Sequence, residues 1–567
     1  MPLQDLRQKR TATLWFDILF PLVLFVGSFL LVYRFALVDL DPHHSGWMYK
    51  TALDVANGRI LFSETVTPYG SLTVYLQALA LLIFGKQMTS ILLSSAFFYA
   101  CAFLLLYVIT RRILSRALSV TAALLTVALA PFYFWQFHPW SSIYALVFLM
   151  LSLWLLQMAL NYRDWRTYLL CGLSGLSAAL TFWCRQPVGF VTALAGILCL
   201  GFLLLLLIRR KTEDKKRLGF SLLAHLGGIV IGTVALLIPI FATGATQHFV
   251  YQSLTDMAAF AADRSSAAGG IFNVIGHVLY SLFLGPFFTQ IAEAPSAQPK
   301  FNLIWLLLPL AALALAFYLL IKLTRALFLQ KAGASVDAHD VTLLLYSVFA
   351  VAEWHQYYPV ACYRHWYWGA FLCLPALLWW LRLGFKALQK HPRFSFLAPT
   401  RRQAVALALS LVILFGFDIG WRTVYGTQKL VESQADGAFY HDTYRHLNGT
   451  YLSDELNAHY AALFDTLADL QKHYPDKEIV NATDNYIYSL FGEGIYPSLY
   501  EDISFYENEA QLLKDHINAT RPIVIGPEAP AENYVEYLKQ VNTDGDPYPS
   551  YHNMPANVYI PAELVTP

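Results

Sequence analysis

The chain has 567 residues, of which 57% are hydrophobic, 15% are aromatic and only 14% are charged. An ordinary soluble protein carries about 25% charged residues. Apolar runs long enough to cross a bilayer recur here as far as about residue 421. This composition excludes an ordinary soluble enzyme and predicts an integral membrane protein.

The small net charge of +1 hides a division between two parts of the chain. Residues 421–567 hold 22 Asp or Glu and 8 Lys or Arg, whereas residues 1–420 hold 16 and 31. The basic residues fall in short loops and form no single patch, so a nucleic-acid partner is not indicated. We expect a transmembrane domain over residues 1–420. Strand-like runs at 478–481 and 521–526 predict a soluble α/β domain over residues 421–567.

The hydrophobic segments predict a polytopic α-helical protein with about eleven transmembrane helices. The first segment, residues 15–37, is too long for the core of a signal peptide and lacks a small-residue cleavage site. The other spans are predicted at 88–110, 117–137, 141–160, 167–184, 188–208, 219–242, 302–322, 341–358, 366–383 and 403–420.

The basic residues predict the orientation of these spans. With a cytoplasmic N-terminus, 23 of the 31 Lys and Arg residues before position 421 fall in cytoplasmic loops, as the positive-inside rule requires. An odd number of spans then places residues 421–567 outside. We therefore expect a protein of the bacterial inner membrane whose C-terminal part lies in the periplasm. The large outer loops become residues 38–87 and 243–301. The apolar run Leu72–Gly85 is too short to span, and Ile271–Gln290 is predicted to dip into the membrane without crossing it.

The segment Asp39-Leu40-Asp41-Pro42-His43-His44 follows the first span directly. Pro42 disfavours a helical Asp41 and suits the first position of a helix, so Asp41 can cap a helix over residues 42–57 that Gly58 ends. One interpretation is that Asp41 is only a cap. The other is that Asp41, with Asp39 behind it, accepts a proton from an incoming hydroxyl, because a carboxylate at a dry membrane edge can have a raised pKa.

A divalent metal is an alternative role for the same segment. Its ligands would come from Asp39, Asp41 and either His43 or His44. Adjacent residues of a helix point about 100° apart, so both histidines could bind one metal only in a non-helical turn.

The first outer loop resembles that of the integral-membrane GT-C glycosyltransferases. The similarity lies in DPHHSGWMYKTALDVANG and YGSLTVYLQALALLIFG, which give an acidic motif, a helix ending in Ala-Asn-Gly, a Tyr-Gly turn and an amphipathic helix. The usual Asp-Glu pair is Asp-Pro-His-His here. The resemblance implies a GT-C-like fold and an inverting sugar transfer from a polyprenyl-phosphate-linked donor to an envelope glycan, lipid or protein. An aspartate of this loop would activate the acceptor.

A donor that enters from the membrane lipids needs cations for its phosphate and aromatic walls for its prenyl chain and sugar. Arg185 and Arg364 lie at predicted outer ends of spans, and arginine can bind phosphate through two parallel hydrogen bonds. The alternative is that both arginines snorkel to lipid headgroups. Further candidates for substrate binding are His365, His43, His44, Lys50, Tyr357, Tyr358 and Glu353.

Two other functions stay open at this point. A transporter or flippase of lipid-linked glycans would need polar groups deep within its spans, and such proteins commonly have broken helices or inverted repeats. Here the polar residues gather on one predicted face of the membrane instead. A non-catalytic envelope scaffold would have no need for the acid, histidines and arginines of that face.

Overall fold

In the computed structural model, the chain is described over residues 3–67, 69–133, 137–209, 214–256, 271–288, 303–328, 337–358, 360, 362–390, 400–483, 485–490, 509–538 and 557–565. Most of these residues are helical. The α-helices of the membrane part are α1 (Leu3–Ala36), α2 (His44–Ala56), α3 (Ser71–Phe84), α4 (Met88–Thr110), α5 (Arg116–Ala128), α6 (Ser141–Ala159), α7 (Trp165–Cys184), α8 (Gln186–Arg209), α9 (Asp214–Ala242), α10 (Thr246–Val250), α11 (Ile271–Leu279), α12 (Gly285–Phe288), α13 (Leu303–Phe328), α14 (Ala338–Glu353), α15 (Tyr363–Gly369), α16 (Leu374–Lys390) and α17 (Thr400–Asp436).

Short turns of other helix types join some of these elements. The π-helical segments are Tyr251–Asp256 and Tyr280–Leu284. The 3₁₀ segments of the membrane part are Pro131–Tyr133 and Trp354–Tyr357. The first of these leads from α5 toward α6, and the second follows α14.

Seven helices among the described residues are long and apolar enough to cross a membrane, and two bent helix pairs raise this number to nine. The bent pairs are α15 with α16, at 63°, and two parts of α17, at 54°. The predicted number of about eleven is not reached in the described part of the chain. Helices α5 and α14, which were expected to span, have 13 and 16 residues, fewer than the roughly 20 that a spanning helix needs.

Helices α2 and α3 form the first outer loop predicted from the sequence. Helix α2 begins at His44, two residues later than expected, because Pro42 takes part in the preceding turn. It ends before Gly58, whose φ of 94° lies in the left-handed region that favours glycine. Helix α3 has 14 residues and leaves Leu82 and Ile83 more than 60% exposed. Exposed apolar side chains of this kind suit a short helix that lies at the membrane surface.

The C-terminal part folds as a small α/β unit, as the sequence predicts. Its helices are α18 (Asp454–His473) and α19 (Glu509–Thr520), and its strands are β1 (Ile479–Asn481), β2 (Ile523–Gly526), β3 (Tyr534–Leu538) and β4 (Asn557–Pro561). The sheet has the order β1-β2-β4-β3, with β1 and β2 parallel and β4 antiparallel to both of its neighbours. Short 3₁₀ turns occur at Arg445–Leu447, Tyr488–Leu490 and Ala562–Leu564.

The C-terminal part contacts the turn that precedes α2. The backbone N–H of Asp39 donates to the carbonyl of Tyr451 at 3.3 Å, and that of Tyr486 donates to the carbonyl of Pro42 at 3.2 Å. Helix α17 continues to Asp436, so the boundary predicted at residue 421 lies inside a helix. The C-terminal part therefore lies on the same side of the helical bundle as the first outer loop.

Candidate active site

Asp41 is the centre of the turn between α1 and α2. Its Oδ1 accepts hydrogen bonds from the backbone N–H groups of His43 and His44, at 2.9 and 3.1 Å. These bonds satisfy donors at the start of α2, so the side chain caps the helix as predicted. Asp41 is only 5% exposed. The cap uses one carboxylate oxygen and leaves the other, Oδ2, for side chains.

Two histidines converge on Oδ2 of Asp41. Nδ1 of His44 lies 2.7 Å from this oxygen, and Nδ1 of His138 lies 3.3 Å from it. His44 is the first residue of α2, whereas His138 comes from the segment between α5 and α6. The three side chains therefore meet only because two separate parts of the chain pack together.

The segment that carries His138 is held in place by side chains of the first outer loop. The hydroxyl of Ser45 donates to the carbonyl of Phe137 at 3.1 Å, and the side-chain amide of Gln77 donates to the carbonyl of Pro139 at 2.8 Å. Both donors are fully buried or nearly so. These bonds fix the segment on both sides of His138 and so fix the position of its ring.

Asp41, His44 and His138 fit a divalent metal ion. One ligand atom from each lies within 4.8 Å of the others, and this is the one such group that the described residues contain. Among the described residues, neither ring nitrogen of His138 has a hydrogen-bond partner, although both are buried, which is costly for a polar group. Two imidazole nitrogens and a carboxylate oxygen form a donor set that suits zinc and related transition metals.

The charges around Asp41 correct one expectation from the sequence. Burial alone would raise the pKa of Asp41, but the adjacent His44, which also hydrogen-bonds to it, brings the pKa well below its usual range. The prediction from the sequence was a raised pKa, because it took into account only the dry surroundings of the carboxylate. Burial lowers the pKa of His138, and the charge of Arg364 lowers it further. The imidazole of His138 is therefore neutral at neutral pH and keeps a lone pair for a ligand.

Trp140 contacts both this cluster and a positively charged side chain. Its ring centroid lies 4.9 Å from that of His44 and 5.5 Å from that of His138. The guanidinium carbon of Arg364 lies over the same indole, 5.4 Å from its centroid, within the range of a cation–π interaction. The predicted phosphate ligand and the predicted catalytic turn thus border one aromatic ring.

Arg185 reaches the same region from the end of α7. Its guanidinium donates to the hydroxyl of Ser142 at the start of α6. Burial lowers the pKa of Arg185, while Tyr69 and Cys362 beside it raise the pKa. The ring of Tyr69 lies 6.2 Å from that of Trp140, and Cys362 immediately precedes α15, the helix of Arg364. The structure therefore brings both predicted arginines to the site.

Two predicted ligands of the first loop lie outside the cluster. The carboxylate of Asp39 is 51% exposed, and its Oδ2 lies 3.8 Å from Nζ of Lys429. The ring of His43 packs against Tyr486 of the C-terminal part, with centroids 5.7 Å apart. The group that could hold a metal therefore differs from the predicted one, because His138 is its third member and neither Asp39 nor His43 belongs to it.

The remaining predicted residues are engaged within the fold. Nζ of Lys50 donates to both carboxylate oxygens of Asp54, at 2.7 Å each, so its charge is largely compensated. The hydroxyl of Tyr357 donates to a backbone carbonyl of α13 at 2.5 Å. Glu353 accepts the N–H of Leu372 at 2.9 Å, where α15 and α16 join.

The last two predicted residues, His365 and Tyr358, lie in different surroundings. His365 follows Arg364 and is buried, with its ring 5.7 Å from that of Trp368. The ring of Tyr358 packs 5.7 Å from that of His277 in α11. His365 is therefore close to the phosphate candidates, whereas Tyr358 faces the second large outer loop.

The sequence analysis missed His138 and Trp140. Both lie in the short segment Phe137-His138-Pro139-Trp140, whose neighbouring aromatic residues have the composition of a membrane-interface belt. One signal was available, since the predicted topology puts residues 138–140 on the same side as the first outer loop. A histidine in so short an outer turn was a candidate partner for Asp41.

Part of the membrane domain matches a known family. Residues 70–238 match the family model described as dolichyl-phosphate-mannose-protein mannosyltransferase. This match confirms the resemblance to GT-C glycosyltransferases that the first outer loop predicts. None of the curated proteins in the comparison matches the chain.

Solved structures of the oligosaccharyltransferase of the archaeon Archaeoglobus fulgidus also resemble the chain. The form tethered with an acceptor peptide is 15% identical, with a TM-score of 0.47, over 91% of this chain and 70% of that one. The complex of this enzyme, AglB, with an inhibitory peptide and a dolichol-phosphate is 16% identical, with a TM-score of 0.42, over 87% and 62%. The apo form is 14% identical, with a TM-score of 0.46, over 86% and 65%.

Proposed function

We propose that this GT-C-like membrane protein is an inverting glycosyltransferase that takes its sugar from a polyprenyl-phosphate-linked donor. The acceptor is an envelope glycan, lipid or protein on the outer face of the membrane. The observation that carries the proposal is the position of Trp140, whose ring borders both the histidines that contact Asp41 and the guanidinium of Arg364. An aromatic ring in this position can pack against the transferred sugar, with the carboxylate near the acceptor and the cation near the donor phosphate.

The donor phosphate is assigned to Arg185 and Arg364. Arg185 lies beside Tyr69 and Arg364 lies over Trp140, and the centroids of these two aromatic rings are 6.2 Å apart. Arginine offers two parallel donors to a phosphate, and such charge-assisted bonds are about twice as strong as neutral ones. The family model that matches residues 70–238 is named for a donor of this chemical class, which supports the assignment.

The proposed reaction is a single displacement at the anomeric carbon. The acceptor oxygen forms a bond to that carbon while the bond from the carbon to the phosphate oxygen breaks, and the phosphate leaves with the bonding electron pair. The arginines stabilise the charge that develops on the phosphate. The acceptor oxygen becomes strongly acidic once it bonds to the sugar, so Asp41 can take its proton late in the step in spite of a low pKa.

As the alternative to the general-base role of Asp41, a divalent cation would be held by Asp41, His44 and His138. When bound, such an ion supplies Lewis-acid stabilisation of negative charge on nearby oxygens. The protein itself contributes the orientation of these ligands, since the cap of α2 fixes Asp41 and the bonds from Ser45 and Gln77 fix the segment of His138. Orientation of this kind commonly matters as much as the ligands themselves.

Binding of a lipid phosphate to the purified protein tests the proposal without knowledge of the sugar. Farnesyl phosphate should bind to the wild type and quench tryptophan fluorescence. Arg364→Ala and Arg185→Ala should each weaken binding by about 10- to 100-fold, which corresponds to the roughly 1.5–3 kcal/mol of a charge-assisted hydrogen bond.

Arg166→Ala is the matched control, because Arg166 is exposed near the start of α7, at the end opposite Arg185. It should bind the probe as the wild type does. If Arg185→Ala and Arg364→Ala also bind normally, the phosphate assignment is wrong and the two arginines serve only to anchor the helices.

A further inference from the structure

Arg422 is a buried cation that the proposed reaction does not use. It lies in α17 beyond the bend and is only 2% exposed. A buried guanidinium is costly unless its donors are paired. Its partners are the carboxylate of Asp418, at 3.1 and 3.2 Å, the carbonyl of Ala130, at 2.9 Å, and the hydroxyl of Tyr363. Asp418 belongs to α17 itself, whereas Ala130 and Tyr363 belong to other parts of the chain.

Each of these two partners begins a segment that carries residues of the candidate site, and we call these two segments the arms of the site. Ala130 leads through the turn Pro131–Tyr133 to the segment that carries His138 and Trp140. Tyr363 is the first residue of α15 and directly precedes Arg364. Arg422 also covers the ring of Tyr363, with its guanidinium carbon 4.5 Å from the centroid. One side chain of the last membrane helix therefore holds both arms.

The joint between the arms is the C-terminal end of α5. The hydroxyl of Tyr367 donates to the carbonyl of Thr126 at 2.9 Å, and that of Tyr363 donates to the carbonyl of Leu129 at 3.0 Å. The last carbonyls of a helix have no partner within it, and a cation is favourable there. Arg422 adds a bond to the next carbonyl and so completes the attachment of α15 to the end of α5.

We propose that Arg422 is a positioning residue that sets the distance between Arg364 and the Asp41–His44–His138 cluster. This inference rests on the proposed role of Arg364 in phosphate binding. The arms meet at Trp140, so a shift of α15 relative to the end of α5 moves Arg364 across that ring. A misplacement of about 1 Å can reduce the rate of an enzyme by about a hundredfold, so this attachment decides whether a bound phosphate lies in reach of the cluster.

The test compares Arg422→Lys with wild type in farnesyl phosphate binding. Lysine keeps the charge but cannot reach Ala130 and Tyr363 together. We expect binding about tenfold weaker, with zinc affinity within about twofold of wild type, because the bonds that hold His138 are intact. In the double variant with Arg364→Ala, binding should be no weaker than in Arg364→Ala alone, since coupled residues are not additive.

Arg112→Lys is the matched control. Arg112 also donates to a carbonyl at the end of a helix, that of Gln157 in α6 at 2.9 Å, and touches neither arm. If it weakens probe binding as much as Arg422→Lys, or if the effects of Arg422→Lys and Arg364→Ala add, the positioning role is overturned. Tyr363→Phe gives a second variant if Arg422→Lys does not fold, because it removes the hydroxyl that bonds to Arg422 and to the carbonyl of Leu129 but keeps the ring. Absence of binding to the wild type would overturn the proposed function and this inference with it.

Discussion

Nδ1 of His138 and Nδ1 of His44 approach the same oxygen of Asp41, at 3.3 and 2.7 Å. A carboxylate oxygen that serves two imidazoles leaves at least one of them poorly bonded, and no residue that the structure describes forms a hydrogen bond with either ring nitrogen of His138. An ion placed among the three groups would use both nitrogen lone pairs and the oxygen at once. The arrangement of these three side chains therefore resembles a set of metal ligands more than an ordinary helix cap.

The metal assignment predicts different effects for adjacent histidines. His44→Ala and His138→Ala should each weaken zinc binding by about tenfold or more, since each removes one of three ligands. His43→Ala should leave the affinity unchanged, because its ring faces Tyr486. Calorimetric titration of the purified protein with zinc measures this directly. Equal affinities of wild type and His138→Ala would contradict the assignment.

The sequence predicted the first outer loop well because its signals are local. Asp41 before Pro42 indicates a cap, and Gly58 indicates the end of a helix, and both occur as expected. The sequence also predicted strand-like runs at 478–481 and 521–526, which contain β1 and β2, and alternate residues of these strands face two cores. Local patterns of this kind depend on backbone chemistry within a few residues.

The composition of the site could not be predicted in the same way. His138 joins Asp41 through the hydrogen bonds of Ser45 and Gln77 to a distant segment, and no local pattern encodes such bonds. Lys50 was a phosphate candidate because of its charge, yet Asp54 lies one helical turn away and pairs with it. The predicted direction of the pKa shift of Asp41 was wrong for a related reason. The pKa depends on the neighbouring His44, which hydrogen-bonds to the carboxylate, as well as on burial.

The predicted orientation can be tested by labelling introduced cysteines. Tyr440 is 76% exposed in the C-terminal part, and Arg163 is exposed in a loop predicted to be cytoplasmic. The positive-inside rule predicts that an impermeant maleimide labels Tyr440→Cys in intact spheroplasts and Arg163→Cys only after permeabilisation. The parent protein gives the background from its partly exposed Cys101 and Cys362. Labelling of both variants before permeabilisation would refute the layout.

The two aspartates of the motif provide the sharpest comparison. In Asp41→Asn, the side-chain oxygen can still accept the N–H groups of His43 and His44, so α2 keeps its cap and the melting temperature should change little. This substitution removes the charge that orients His44 and that, in the proposed reaction, takes the proton of the acceptor. Sugar transfer should therefore fall by a factor of about 10²–10⁴, the usual contribution of a general base.

Asp39→Asn is the control for this loss of a carboxylate. Asp39 is half exposed, pairs with Lys429 at 3.8 Å and has a positive φ of 61°, which asparagine adopts readily. Its transfer rate should stay within about twofold of wild type, because it lies outside the cluster of Asp41. Both rates are measured with the same labelled donor, after normalisation to folded protein. Wild-type transfer by Asp41→Asn would reduce Asp41 to a helix cap, and an equal loss in Asp39→Asn would show that the two carboxylates act together.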